Sequence, residues 1–294
     1  MSAVGEMYDL LLAPFAEFEF MRRALVGTLA IALAGAPVGV FLMLRRMSLT
    51  GDAMAHAILP GAAAGYLLAG LSLPAMTIGG LAAGVIVALL AGLVARATAL
   101  KEDASLAAFY LLSLALGVTL VSLKGSNVDL LHVLFGSVLA LDDAALLLLA
   151  GIATVTLVTL ALLFRPLVLE CVDPTFLRSV SRSGTPAHLI FLGLVVLNLV
   201  GGFQALGTLL AVGMMMLPAA SSRFWSSDVT VMIAIGTGIG LGSGVAGLLI
   251  SYHLELPAGP AIILVGGLAY LGSLAFGRES GLFWLAFPGR HLEA

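Results

Sequence analysis

The chain reads as an all-α integral membrane protein, a polytopic helical bundle of about nine transmembrane helices with an eight-helix arrangement left open. Three observations lead there. Hydrophobic residues make up 61% of the 294 positions and charged ones 10%, against roughly 25% charged in an ordinary soluble domain, so there is too little polar surface to face water. Apolar stretches recur near the length of about 20 residues that a bilayer core demands, with short polar breaks between them, so residues 1–294 are expected to form one transmembrane domain. Thirty-five glycines fall largely inside those stretches, as in "GGLAAG" at 79–84 and "GTGIGLGSGVAG" at 236–247, which suits helices that approach closely through small residues.

Taken in order, residues 1–20 carry acids among apolar residues in "MYDLLLAPFAEFEF" and read as an interfacial segment. "MRRALVGTLAIALAGA" imitates a signal peptide, but Pro37 follows at once and the apolar run continues to Leu44, so a first span over 24–44 is the better reading. Further windows fall at 53–70, 74–95, 104–123, 143–164, 187–203, 205–222, 229–252 and 258–276. A tail occupies 277–294. If the helices alternate, Arg45-Arg46, Arg96 with Lys101, the arginines of 165–186, Arg223, and Arg278 with Arg290 share one side, which is then cytoplasmic. Arg22-Arg23 and Lys124 fall outside and break the rule.

Composition also excludes functions. A net charge of −3 gives no basic surface for nucleic acid, and the single cysteine, Cys171, excludes an intramolecular disulfide. No Gly-x-x-x-x-Gly-Lys-Ser/Thr phosphate loop occurs, so the chain is not expected to supply nucleotide chemistry itself. Neither "HAILP" nor "HLELP" supplies the His-Glu-x-x-His helix of a metalloprotease. The chain is therefore expected to be no enzyme and to hold no intrinsic cofactor.

The polar pair Asp52 and His56 stands out. On a helix the two share a face about 6 Å apart along the axis, and counted from Arg46 they lie about 9 and 15 Å along the next segment. An ionised Asp at mid-helix costs about 2.5–3.5 kcal/mol to insert, so such groups usually face a bundle interior or a wet path. A carboxylate with a neutral imidazole suits Zn²⁺, Mn²⁺ or Fe²⁺. Pro60 breaks the helix behind them and leaves the carbonyl of His56 without its usual donor. A plainer reading stays open at this point: Asp52 complements the helix dipole after Ser48 and Thr50, and His56 bonds a neighbour.

"RRMSLTGDAMAHAILPGAAAG" resembles the signature of the membrane permeases of ATP-binding-cassette importers for zinc, manganese and iron, in which Gly-Asp-x-x-x-His-x-x-x-x-Gly follows the first helix. "VDLLHVLFGSVLALDD" (128–143), "GTLLAVGMMMLPAASS" (207–222) and "LPAGPAIIL" (256–264) are similar to later segments of that family, in family order. The resemblance implies a type II importer permease fold in a bacterial inner membrane. It also implies a homodimer, two cytosolic ATPase subunits that bind ATP, and a periplasmic or extracellular metal-binding protein. Within the cytosolic segment 165–186, it implies a coupling helix around Asp173-Pro174, so Glu170, Asp173, Pro174, Phe176 and Arg178 are the expected ATPase contacts.

Asp129 and His132, three residues apart near the exterior, are further candidates to pass metal inward. His253 and Glu255 in "SYHLELP" are candidates for an entry site, although relatives more often have Asp where this chain has Glu255. Asn198 and Gln204 are expected to bond between helices. Met214-Met215-Met216 does not share a helix face, so packing is expected rather than Cu(I) binding. His56, His132 and His253 with Asp52, Asp129 and Glu255 make a nitrogen-rich set, so zinc is expected ahead of manganese, with iron third.

Overall fold

The computed structural model describes residues 7–8, 10–70, 72–98, 102–123, 138–172 and 184–283. Helices, in order, are α1 (Ala13–Glu17), α2 (Glu19–Leu44), α3 (Ser48–Ala57), α4 (Leu59–Ala69), α5 (Leu73–Ala97) and α6 (Glu102–Leu123). After a 3-10 turn at Val138–Ala140 come α7 (Asp143–Val172), α8 (Gly184–Leu206), α9 (Thr208–Arg223), α10 (Val229–Leu254) and α11 (Ala258–Phe276). Each expected apolar window is helical, but the expected count of nine spans is not what length and composition return. Among the described residues six helices, α2, α5, α7, α8, α10 and α11, are long and apolar enough to cross a membrane. A shorter apolar run, Ala104–Leu120, lies in α6.

The second window is divided because Pro60 sits in the first turn of α4. Its ring nitrogen cannot donate to His56, so α3 ends at Ala57 and the chain restarts with proline where a missing N–H does no harm. The opposite correction applies to 165–186. The expected cytosolic loop is helical through Val172, because the apolar period continues past Arg165 and Leu167 is fully buried. A long basic side chain near a helix end can carry its charge outward while its stem packs. Residues 173–183 lie outside the described residues.

Two helices form the centre. In α2 and α8, 72% of the most apolar window is buried, against 22–33% in α5, α7, α10 and α11, which leave one side for lipid. An all-round apolar helix belongs inside such a bundle, and an apolar outer face needs only lipid. Between helices the stabilisation is van der Waals packing, since lipid tails are as apolar as leucine. Close approach is therefore built with glycine. A Cβ on Gly61 would collide with the carbonyl oxygen of Gly79, and one on Gly79 with that of Gly61, so α4 and α5 touch backbone to backbone.

Polar contacts at the helix ends confirm an alternating course. Arg45, Glu170 and His188 gather the C-terminal ends of α2 and α7 with the start of α8. At the other end Arg23 bridges to Asp143 at 3.0 Å, and Thr77 donates to Gln204 at 2.6 Å. These contacts also account for the arginines that break the charge rule. Arg23 pairs with Glu19 at 2.8 Å as well, and Arg22 donates to the carbonyl of Ala16 at 2.8 Å, closing the short helix α1. Ahead of it Met7, Tyr8, Leu10, Leu11 and Leu12 are exposed. From the tail, Glu279 donates its backbone N–H to Phe224 at 3.0 Å.

Candidate functional site

The site begins with the turn between α2 and α3. Arg46 takes φ 59°, its N–H reaches Met43 O at 3.0 Å, and the N–H of Met47 reaches Leu42 O at 2.9 Å. These are the two bonds of a Schellman cap. A non-glycine residue in that left-handed conformation costs about 1–2 kcal/mol, so the short connection into α3 is a defined corner.

From this corner α3 presents two faces. Met54, Ala57 and Ile58 are fully buried in the core with Phe41 and Phe191. Leu49 (75% exposed), Asp52 and His56 follow at three- and four-residue spacing on the opposite stripe. The Asp52 side chain is 66% exposed and that of His56 31%, with His56 Nε2 3.9 Å from Asp52 Oδ1. That gap is too long for a hydrogen bond. Two ligands each about 2.1 Å from one ion stand at most about 4 Å apart, so one cation can bridge the pair with little movement.

Behind the pair, the imidazole lies 6.1 Å from the Tyr110 ring of α6, between centroids, and its Nδ1 is buried with no hydrogen-bond partner among the described residues. Nε2 is thus the nitrogen turned toward the carboxylate. Gly51 lets α3 rest on α9, since a Cβ there would stand 2.6 Å from Met216 Cε and 3.0 Å from Met215 Cε. Met214 and Met215 are buried in different core clusters, so the methionine run packs.

Among the described residues, Asp52 and His56 are the only expected metal ligands that the structure brings together. Among the described residues no three His, Cys, Asp or Glu side chains form a metal-binding group. Asp129 and His132 lie outside the described residues, as do Asp173, Pro174, Phe176 and Arg178. His253 is engaged elsewhere: its Nε2 stands 2.9 Å from the carbonyl oxygen of Leu10 and its ring lies edge-on to Tyr252 at 5.2 Å. It ties the N-terminal segment to the end of α10. Glu255 is the left-handed C-cap of that helix, φ 54°, and is exposed.

Glu170 also departs from expectation. Rather than standing free for a partner, its carboxylate accepts from Arg45 through Oε2 and stands 3.4 Å from His188 Nδ1 through Oε1. Arg45 is itself 3.1 Å from His188 Nδ1, and its guanidinium lies 4.5 Å over the Phe191 ring. The side chains of Arg45 and Glu170 are 6% and 11% exposed. The pairing within this cluster is not legible in the sequence, where Arg45 reads only as an orientation marker, because its partners His188 and Glu170 lie 143 and 125 positions away along the chain. The available signal was that charges flank the same three apolar windows. The interhelical role expected of Asn198 is seen in its 2.8 Å donation to Thr156.

Comparison with known proteins agrees with this architecture. The model of the ABC 3 transport family matches residues 17–277. The chain is 32% identical over 255 residues to the manganese import system permease protein ScaB of Streptococcus parasanguinis, covering 87% of this chain and 90% of that protein. It is 29% identical over 294 residues to the manganese transport system membrane protein MntC of Halalkalibacterium halodurans, covering 100% and 98%. The structure of PsaBC from Streptococcus pneumoniae in complex with Fab superposes with a TM-score of 0.83 at 28% identity, over 96% of this chain and 99% of that one. With the signature segments in order, the whole helical course matched and a carboxylate–imidazole pair on an apolar helix, the chain belongs to the ABC 3 transport family and is a multi-pass plasma-membrane permease of a metal importer.

Proposed function

We propose that this chain forms the metal path of an ATP-driven importer as a homodimer, served by two cytosolic ATPase subunits and an external metal-binding protein, and that Mn²⁺ is the principal cargo. The observation that carries the proposal is the Asp52–His56 pair, 3.9 Å apart on an outward stripe. An ionised carboxylate 66% exposed on an apolar helix is costly against lipid, so that stripe calls for a protein or aqueous neighbour. One copy offers two side-chain ligands, too few to hold a divalent ion firmly. A second copy facing the same stripe adds a second pair, and a site shared between copies can open as they move.

Manganese replaces zinc as the first choice for a stated reason. The expectation of zinc rested on three imidazoles along the path, and His253 is turned to Leu10 instead. One carboxylate per imidazole suits a cation that accepts oxygen as readily as nitrogen, and the named relatives are manganese permeases. The ATPase is read onto the segment around Asp173-Pro174, on the end of the bundle that the arginines mark as cytoplasmic.

The test is uptake into vesicles carrying the chain with its ATPase and binding protein. Saturable Mn²⁺ uptake that stops when ATP hydrolysis is blocked, and that excess Zn²⁺ fails to drive, is the expected result. ATP-independent uptake would make the chain a carrier or channel. ATP-driven uptake of Zn²⁺ in preference to Mn²⁺ would return the cargo to zinc.

A further inference from the structure

The charged cluster at the cytoplasmic end of the bundle has no part in binding metal, yet it is placed to govern it. Glu170 and His188 stand on either side of residues 173–183 in the chain, near the end of α7 and the start of α8. Arg45 engages both. Its own backbone enters the Schellman corner at Arg46, so along the chain only that corner and about one turn of α3 separate Arg45 from Asp52. Beneath the guanidinium, Phe191 stacks edge-on against Phe41 at 6.1 Å, and Phe41 against Phe164 at 6.1 Å, so one aromatic column joins α8, α2 and α7. Charges this buried rarely add net stability over apolar residues of equal size and are best attested where they set register or switch states. Arg45 Nε is buried without an acceptor among the described residues, and the Cys171 thiol lies against the same guanidinium.

We propose that Arg45 is a positioning residue for transport: through Glu170 and His188 it grips both roots of the segment read as the ATPase contact, and through the Arg46 corner it passes their displacement to the helix bearing Asp52 and His56. This rests on the reading of that segment given above. The consequence is separable from folding. Loss of the grip leaves a complex that assembles and hydrolyses ATP but moves little metal.

Single neutralisation would strand a buried charge, so the informative variant removes both, Arg45→Met with Glu170→Leu, an apolar exchange of similar size. In vesicles with the ATPase and binding protein, this variant is expected to assemble and hydrolyse ATP while Mn²⁺ moved per ATP falls about tenfold or more, and Arg45→Lys should recover part of the loss; coupling between sites commonly spans about 5- to 150-fold. Cys171, the one cysteine of the chain, half-buried beside the cluster, gives a second readout in the native sequence. Its alkylation rate, followed by peptide mass spectrometry, should differ by about fivefold or more between nucleotide-free and ATP-bound complex. An unchanged ratio of metal to ATP, or an alkylation rate indifferent to nucleotide, overturns the proposal. If the double variant fails to assemble, the alkylation measurement decides alone. Failure of the underlying reading looks different: the wild-type chain then takes up metal without ATP, or binds no ATPase.

Discussion

Asp52 and His56 differ in how the fold holds them, and that difference sets what their replacement should do. Asp52 is exposed and touches little of the core, whereas His56 keeps Nδ1 buried beside Tyr110 and turns Nε2 outward. Asp52→Ala and His56→Ala should each lower Mn²⁺ uptake at limiting metal by at least about tenfold, the loss that even an outer partner of a metal ligand can cause, while ATPase co-purification stays at the wild-type level. Full uptake by both variants would remove the pair from the path. Spacing placed the pair on one face, because two residues four apart on a helix share it, and left its role open; the resemblance of the surrounding segment to the importer-permease signature is what pointed to metal. The engagement of His253 by Leu10 was not legible, since its partner is far away in sequence and lies on a backbone carbonyl, which carries no residue signature.

At the scale of elements, the crossing of α4 and α5 shows how glycine sets distance. Gly61 and Gly79 let two backbones meet, whereas Gly92, on the same helix as Gly79, has open space around its Cβ position. Gly79→Ala should therefore destabilise by about 1–3 kcal/mol, as overpacking does, lowering the unfolding midpoint in detergent. Gly92→Ala should leave the midpoint unchanged or raise it, since alanine is the better helix former by about 1 kcal/mol. Equal midpoints for the two variants would mean that α4 and α5 do not need this contact. The apolar windows predicted the helices well, yet their ends were misjudged. Arg165 marked the end of a window but not of α7, which continues to Val172, because a helix ends where its packing and hydrogen bonding end and not where hydropathy falls.

For the whole molecule, the proposed function requires ATP hydrolysis outside the membrane to reach a metal inside it. The segment around Asp173-Pro174 is read as the contact, and Asp173→Ala or Pro174→Ala should weaken ATPase docking, seen as reduced co-purification, while Mn²⁺ binding to the purified permease is unaltered. Undiminished docking in both would move the contact elsewhere on the cytoplasmic face. Membership in the family, the membrane location and the helical character of the apolar windows were legible in the sequence, because they depend on composition, period and local motifs that one chain segment carries by itself. Tertiary structure alone decided which polar groups meet: Arg45 with Glu170 and His188, Thr77 with Gln204, His253 with Leu10. The physical reason is that a buried charge or donor takes whichever partner the packing of distant helices brings within reach, and nothing in the spacing of residues along the chain fixes that choice.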